Sequence, residues 1–339
     1  MNLLSCNGLC EQLNSLFSIG EIKMCIFSQP VTSVNNTQIF ARLSGKGTQF
    51  LAYEMNYESR DPNAMILPVP VKQAANDKSL VFIDLENYET LFDDLDKGFP
   101  FRSSRGIGCS SGPVCASADA LQVFEVGNYI ASFVPTLADF GRLDPKFTLP
   151  EEVWEKIPGY ENFGFAVFQL AAGKVKPHPM AFEFQTVNDE LFFPTIHIHD
   201  GEVHKSEKFD HVLYMQHAGL DSKVGDYRNS HVEDFTTGFV RSVDQASSFC
   251  SVDKSANLID GNLLVHRKFV QGKFPNTDTV FKPSGDPVKP SMNFRWWRSF
   301  APWLVVLAAV GWFFNRRSKL KKERELNMAE SDEKDIANE

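Results

Sequence analysis

Signatures of familiar catalysis are scarce in this chain. There is no Gly-x-Ser-x-Gly nucleophile elbow, the Gly-Lys-Gly string at 45–47 lacks the spacing of a phosphate-binding loop, and RGIGCSSG at 105–112 does not satisfy the dinucleotide fingerprint. Cysteine is sparse as well: six residues, at 6, 10, 25, 109, 115 and 250, are too few and too scattered for a disulfide-dense scaffold. Only Cys109 and Cys115 lie close together. Their spacing is wrong for a zinc knuckle, and a disulfide, a redox pair and two unpaired thiols all stay open for them. The first twenty residues contain Glu11 and no continuous apolar run, so no signal peptide is expected there. Leu3-Leu4-Ser5-Cys6 has the local look of a lipoprotein cleavage box, but too little sequence precedes the cysteine. Residues 1–23 read as a poorly ordered extension or an over-long start, with patterned sequence beginning at Met24.

Positive charge is in deficit. The formal net charge is −9, and the tail from Asn315 onward holds seven Lys/Arg and seven Asp/Glu, so the rest of the chain carries the whole excess. An acidic body argues against nucleic acid as a partner. Tyrosine is rare beside phenylalanine, 7 against 30, which points to the apolar aromatic interior that packed sheets use.

What stands out is the segment WWRSFAPWLVVLAAVGWFF at 296–314. It holds four of the five tryptophans, and Arg316, Arg317, Lys319, Lys321, Lys322 and Arg324 follow it. Tryptophan collects at the membrane–water boundary, and a basic cluster beside an apolar helix meets lipid headgroups. From Trp296, with Arg298 snorkelling, the segment would cover about 28 Å of a hydrocarbon core about 30 Å thick. A single-pass transmembrane helix over 296–314 is therefore expected, with the lipid bilayer as partner. Its orientation is open: the basic flank favours a cytoplasmic tail, whereas the missing signal peptide favours a cytoplasmic body.

Between these ends the chain alternates like strands. QIFARL (38–43), a Ser-Gly-Lys-Gly turn and TQFLAYEM (48–55) read as a hairpin. MILPVPV (65–71) is apolar, but its prolines confine it to a sheet edge or a strand end. LVFIDLENYETLFDDL (80–95) begins as a strand and becomes an acidic helix, on which Asp93, Asp94 and Asp96 are expected to form a solvated face. LQVFEVGNYIASFV (121–134) reads as a strand or hairpin and PEEVWEKI (150–157) as a short helix. Further strands are expected over 163–170, 180–187, 191–204, 210–217 and 257–269. The implied fold is β-rich α+β, a mainly antiparallel sheet body with a C-terminal transmembrane helix. The body spans 24–281, with two lobes meeting near 145–160 as one division; 282–295 is a stiff linker and 315–339 a charged tail.

All eight histidines lie between 178 and 266, and HIHDGEVH at 197–204 holds three of them. Asp200-Gly201 is a strong two-residue hairpin turn. That turn would set His199 opposite Glu202 and His197 opposite His204, with all four side chains on one face. Imidazoles opposed at about 5 Å can converge on one ion. His197, His199, Glu202 and His204 are thus a candidate site for a divalent transition metal: zinc, iron, manganese, copper or nickel. The ligand set resembles that of the cupin β-barrels in residue types only. A solvated polar rim is the competing reading, and His178, His211 and His217 are weaker additional ligands.

Cys25 follows Met24. Were Met24 the start and then removed, Cys25 would be amino-terminal, supplying a thiol nucleophile and an amine base; MCIFS and the following F-A-R string resemble the opening of the N-terminal-nucleophile hydrolases. The set MCIFSQPV, MILPVPV, ASFVPTLADFGRLDPKF, HPMAFEF and FFPTIHIHDGEVH resembles a family of uncharacterised bacterial proteins over most of 24–217. That resemblance implies no activity or cofactor. The expectation is a membrane-anchored β-rich binding module that holds a transition metal, against a hydrolase using the metal or Cys25, and against a structural scaffold. Whether the protein is an enzyme stays open.

Overall fold

The Ser-Gly-Lys-Gly turn joins two long strands, β2 (Ser33–Leu43) and β3 (Thr48–Ser59), in the antiparallel hairpin the alternation implies. Gly45 and Gly47 both sit at φ +76°, backbone that other residues resist. The computed structural model describes residues 25–72, 75–76, 78–100, 123–126, 129–157, 159–186, 189–228, 238–282 and 316–317. The chain divides into a unit Met1–Val288 and a unit Lys289–Glu339, of which Arg316 and Arg317 are described and are helical.

The first unit is β-rich α+β with mainly antiparallel sheets. An eight-stranded sheet runs β13 (Val240–Arg241), β14 (His266–Pro275), β12 (Ser206–Gln216), β2, β3, β10 (Met180–Gln185), β5 (Leu80–Ile83), with β9 (Gly173–Val175) on β3. Strand β12 pairs in parallel with β2, His211 opposite Thr37. A five-stranded sheet runs β1 (Ile26–Phe27), β4 (Asn63–Val69), β8 (Gly164–Leu170), β7 (Tyr129–Val134), β6 (Val123–Val126), and β11 (Leu191–Phe193) pairs with β15 (Thr279–Phe281).

Period-two alternation sends Ile39, Leu51, Tyr53, Phe182 and Leu213 of the larger sheet against Met65, Leu67, Ala131 and Phe168 of the smaller one. Phenylalanine fills this layer: the Phe168 and Phe182 rings lie 6.1 Å apart, and Phe82 meets Phe168 edge-on at 5.6 Å. Each such buried side chain contributes about 1.5–3 kcal/mol. The outer faces are covered too. Helix α1 (Leu91–Lys97) lays Leu91, Phe92 and Leu95 on Phe40 and Tyr214 of the larger sheet. Helix α2 (Glu151–Glu155) and the turns before it lay Phe147, Val153 and Trp154 on Ile66 and Phe165 of the smaller one.

Three expectations change in detail. Pro68 lies in β4, second in its sheet and paired throughout with β8; the proline is tolerated because β1 reaches only Met65 and Ile66 on the other side. Of the three aspartates on α1, Asp93 is exposed and Asp96 is partly exposed, taking Arg267 Nη1 at 2.6 Å, while Asp94 is buried with Lys97 Nζ at 2.6 Å. Residues 257–265 form no strand. The expected membrane segment 296–314, Cys109, Cys115 and residues 1–23 lie outside the described residues, among which no helix is long and apolar enough to cross a membrane.

Candidate functional site

After β11 the chain runs extended from Pro194 to His197 and then docks on β1 instead of folding back on itself. Ile198 forms a parallel bridge with Ile26: its N–H donates to Cys25 O at 2.8 Å, and its carbonyl accepts from Phe27 N at 2.8 Å. Ile196 and Ile198 enter the outer cluster on the smaller sheet, so alternation turns His197 the other way, into the protein. Asp200-Gly201 does form a turn, with Gly201 at φ +83° and Asp200 Oδ1 accepting from Glu202 N at 3.0 Å. The return strand is absent. Asn276, just past β14, takes its place: its amide donates to His197 O at 2.8 Å and His204 O at 3.1 Å, and its carbonyl accepts from His197 N at 2.7 Å.

The expected hairpin face is therefore split. His197 is wholly buried, its ring 4.3 Å from Phe209 and 5.2 Å from His211 between centroids. Burial, then the His211 and His199 neighbours, pushes its pKa down to about 2. Glu202 points out to Lys156, 3.4 Å away. His199 and His204 remain together, rings stacked at 6.3 Å, and two unforeseen carboxylates join them. His204 Nε2 lies 3.0 Å from Asp200 Oδ2 and 4.0 Å from Glu207 Oε1, and His199 Nε2 lies 3.5 Å from the same Glu207 oxygen. The Asp200 hydrogen bond raises the His204 pKa. Burial pushes Asp200 up, but its bonds from His204 and the Glu202 amide outweigh that and hold it below the usual carboxylate value. As the side chains stand, no three His, Cys, Asp or Glu among the described residues surround one ion position.

In the sequence Asp200 signals only a turn. Glu207 sits three residues beyond His204, and that spacing was its one sequence signal. The weaker candidates scatter: His211 meets His197, His178 stacks on Tyr129 at 4.4 Å, and the pKa of half-buried His217 is lowered, by burial first and then by Lys223.

Cys25 lies inside the sandwich at φ +74°, with Sγ hydrogen-bonded to Tyr53 Oη at 2.6 Å. Burial pushes the thiol up to about 12 against the opposing Tyr53 bond. In this arrangement it is protonated and shielded, the opposite of an activated nucleophile. Beside the histidine segment lies a groove of about 240 Å³, floored by Phe209 and walled by Val270, Phe274 and Pro275, with Lys268 and Thr279 supplying polar groups.

No family model matches the chain. Among solved structures it is similar to baculovirus P35 (15% identity, 74% of this chain and 96% of that one, TM-score 0.38). It is similar also to P35 in the caspase-8/P35 complex (12% identity, 73% and 96%, TM-score 0.39). A likeness this distant carries no argument about activity or partners.

Proposed function

We propose that the protein is a binding module anchored in a lipid bilayer by a single-pass helix over 296–314. The observation that carries the reading is the tryptophan-flanked apolar block followed directly by six Lys/Arg, a pattern whose apolar centre favours hydrocarbon and whose flanks favour headgroups. Binding is favoured over catalysis by Cys25, because a buried thiol pushed to about 12 offers no nucleophile. Cell fractionation of the full chain tests the anchor. The protein is expected to stay in the membrane pellet through alkaline carbonate extraction, and deletion of 296–314 is expected to release it. Release of the intact chain by carbonate would overturn the anchor.

A further inference from the structure

We infer that the corner of the sandwich where β12 begins and β14 ends lies against the headgroups of an anionic bilayer, through Lys205, Lys208, Lys273 and Phe274. The inference deepens the membrane-anchored reading and rests on it, because the anchor is what brings the body to the lipid. Three lysines meet at this corner. Lys208 stands directly opposite Lys273 in the β12–β14 ladder, and Lys205 leads into the same end, its carbonyl accepting from Asn276 N at 3.1 Å. All three are exposed, and none has an ion-pair partner among the described residues. Like charges directly opposite one another destabilise a strand pair, so the fold gains nothing from Lys208 facing Lys273. An anionic surface offsets that repulsion.

The neighbouring carboxylates are engaged elsewhere. Glu207 turns to His199 and His204, and Asp210 accepts from Gln271 Nε2 at 3.2 Å. Unpaired cations are thus gathered at one place on a chain whose formal net charge is −9. Phe274 supplies the apolar half of the contact. It is 41% exposed, the one aromatic ring so exposed among the described residues, and it meets buried Phe209 edge-on with ring centroids 5.8 Å apart. A ring that can enter the acyl boundary, beside ammonium groups that reach phosphates, is the composition of an interfacial contact.

The connection to the anchor favours the same partner. From β14 the chain passes through β15, which ends at Phe281, and the expected anchor starts at Trp296. The 14 residues between them span at most about 50 Å. A body tethered so closely meets the bilayer at high effective concentration, where a weak surface contact suffices. Anionic lipid is concentrated in the cytoplasmic leaflet, so the contact also sets the body on that side.

The test places the full chain in nanodiscs of phosphatidylcholine, alone or mixed with phosphatidylserine, and follows amine-reactive labelling by peptide mapping. In the anionic discs Lys205, Lys208 and Lys273 are expected to label at least about threefold more slowly. Lys46, in the β2–β3 turn at the far end of the same sheet, is expected to label equally in both. Added salt is expected to restore labelling of the corner. The double variant Lys208→Glu/Lys273→Glu, and separately Phe274→Ser, are each expected to lose the protection of Lys205. Loss of sheet signal in one variant leaves the other to decide. Equal labelling of the corner in the two kinds of disc, or equal protection of Lys46, overturns the contact. So does equal protection of the corner by duplex DNA in detergent, which would make it a nucleic-acid surface. A chain that enters both discs without protection of the corner removes the contact and leaves the anchor standing, whereas a chain that enters neither removes both.

Discussion

His197 and His211 meet inside the sandwich with ring centroids 5.2 Å apart, and none of their four ring nitrogens has a hydrogen-bond partner among the described residues. The pair is a large polar surface held in an apolar setting, and it persists because both rings are neutral.

Acid should therefore unfold the body. Burial pushes His211 down to about 3 and His266 to about 4, against about 6.5 in an unfolded chain. Below pH 6.5 the unfolded chain binds the extra protons, so stability falls with pH, from 6.5 toward these folded values, and neither group affects it above 6.5. At pH 5 the two together cost about 4 kcal/mol. Urea midpoints measured from pH 8 to 5 should be flat above 7 and decline below 6.5, and His211→Phe should make the decline shallower without removing it, because His197 and His266 still titrate. A midpoint unchanged between pH 7 and 5 would contradict the neutral, buried state.

Asn276 should be costly to remove. Asn276→Ala strips three hydrogen bonds from the backbone at His197 and His204, and with their carbonyls part-buried the loss is about 2–3 kcal/mol. Limited proteolysis should then cut within 199–204, where the parent resists. Equal resistance would show that the loop does not depend on the clamp.

Cys25 should be inert in the folded protein. With its thiol at about 12 and its side chain shielded, alkylation by iodoacetamide at pH 8 should proceed only after denaturant is added. Rapid native modification of Cys25, located by peptide mapping, would restore the hydrolase reading.

Two phenylalanines of the groove should behave oppositely. Phe209 is buried against His197, and Phe209→Ala should cost about 3–5 kcal/mol. Phe274 is 41% exposed, so Phe274→Ser should shift stability by no more than about 1 kcal/mol. Equal effects in chemical denaturation would mean that the groove is lined differently.

The β2–β3 hairpin, β5 with its following helix, the β6–β7 hairpin and β8 were legible because their signals are local: a Gly-rich turn, alternation, and a change of period at Asp84. The histidine segment departs from its sequence expectation for an equally physical reason. Asp200-Gly201 made the turn its chemistry promises, but pairing of the flanks depended on Asn276, far along the chain, which occupied the backbone groups a return strand would have used. A turn residue reports its own conformation and not what its neighbours bond to. The same limit explains Glu207, brought to His199 by β12, whose register is set by pairing with β2 and β14.

Because β12 lies between β2 and β14, the early hairpin cannot satisfy its outer edge from nearby sequence. Until Ser206–Gln216 has been synthesised, β2 presents open backbone groups to any strand that arrives, including β2 of another copy. Long-range closure of this kind is slow. Nascent or truncated chains that stop before Ser206 should thus associate with one another.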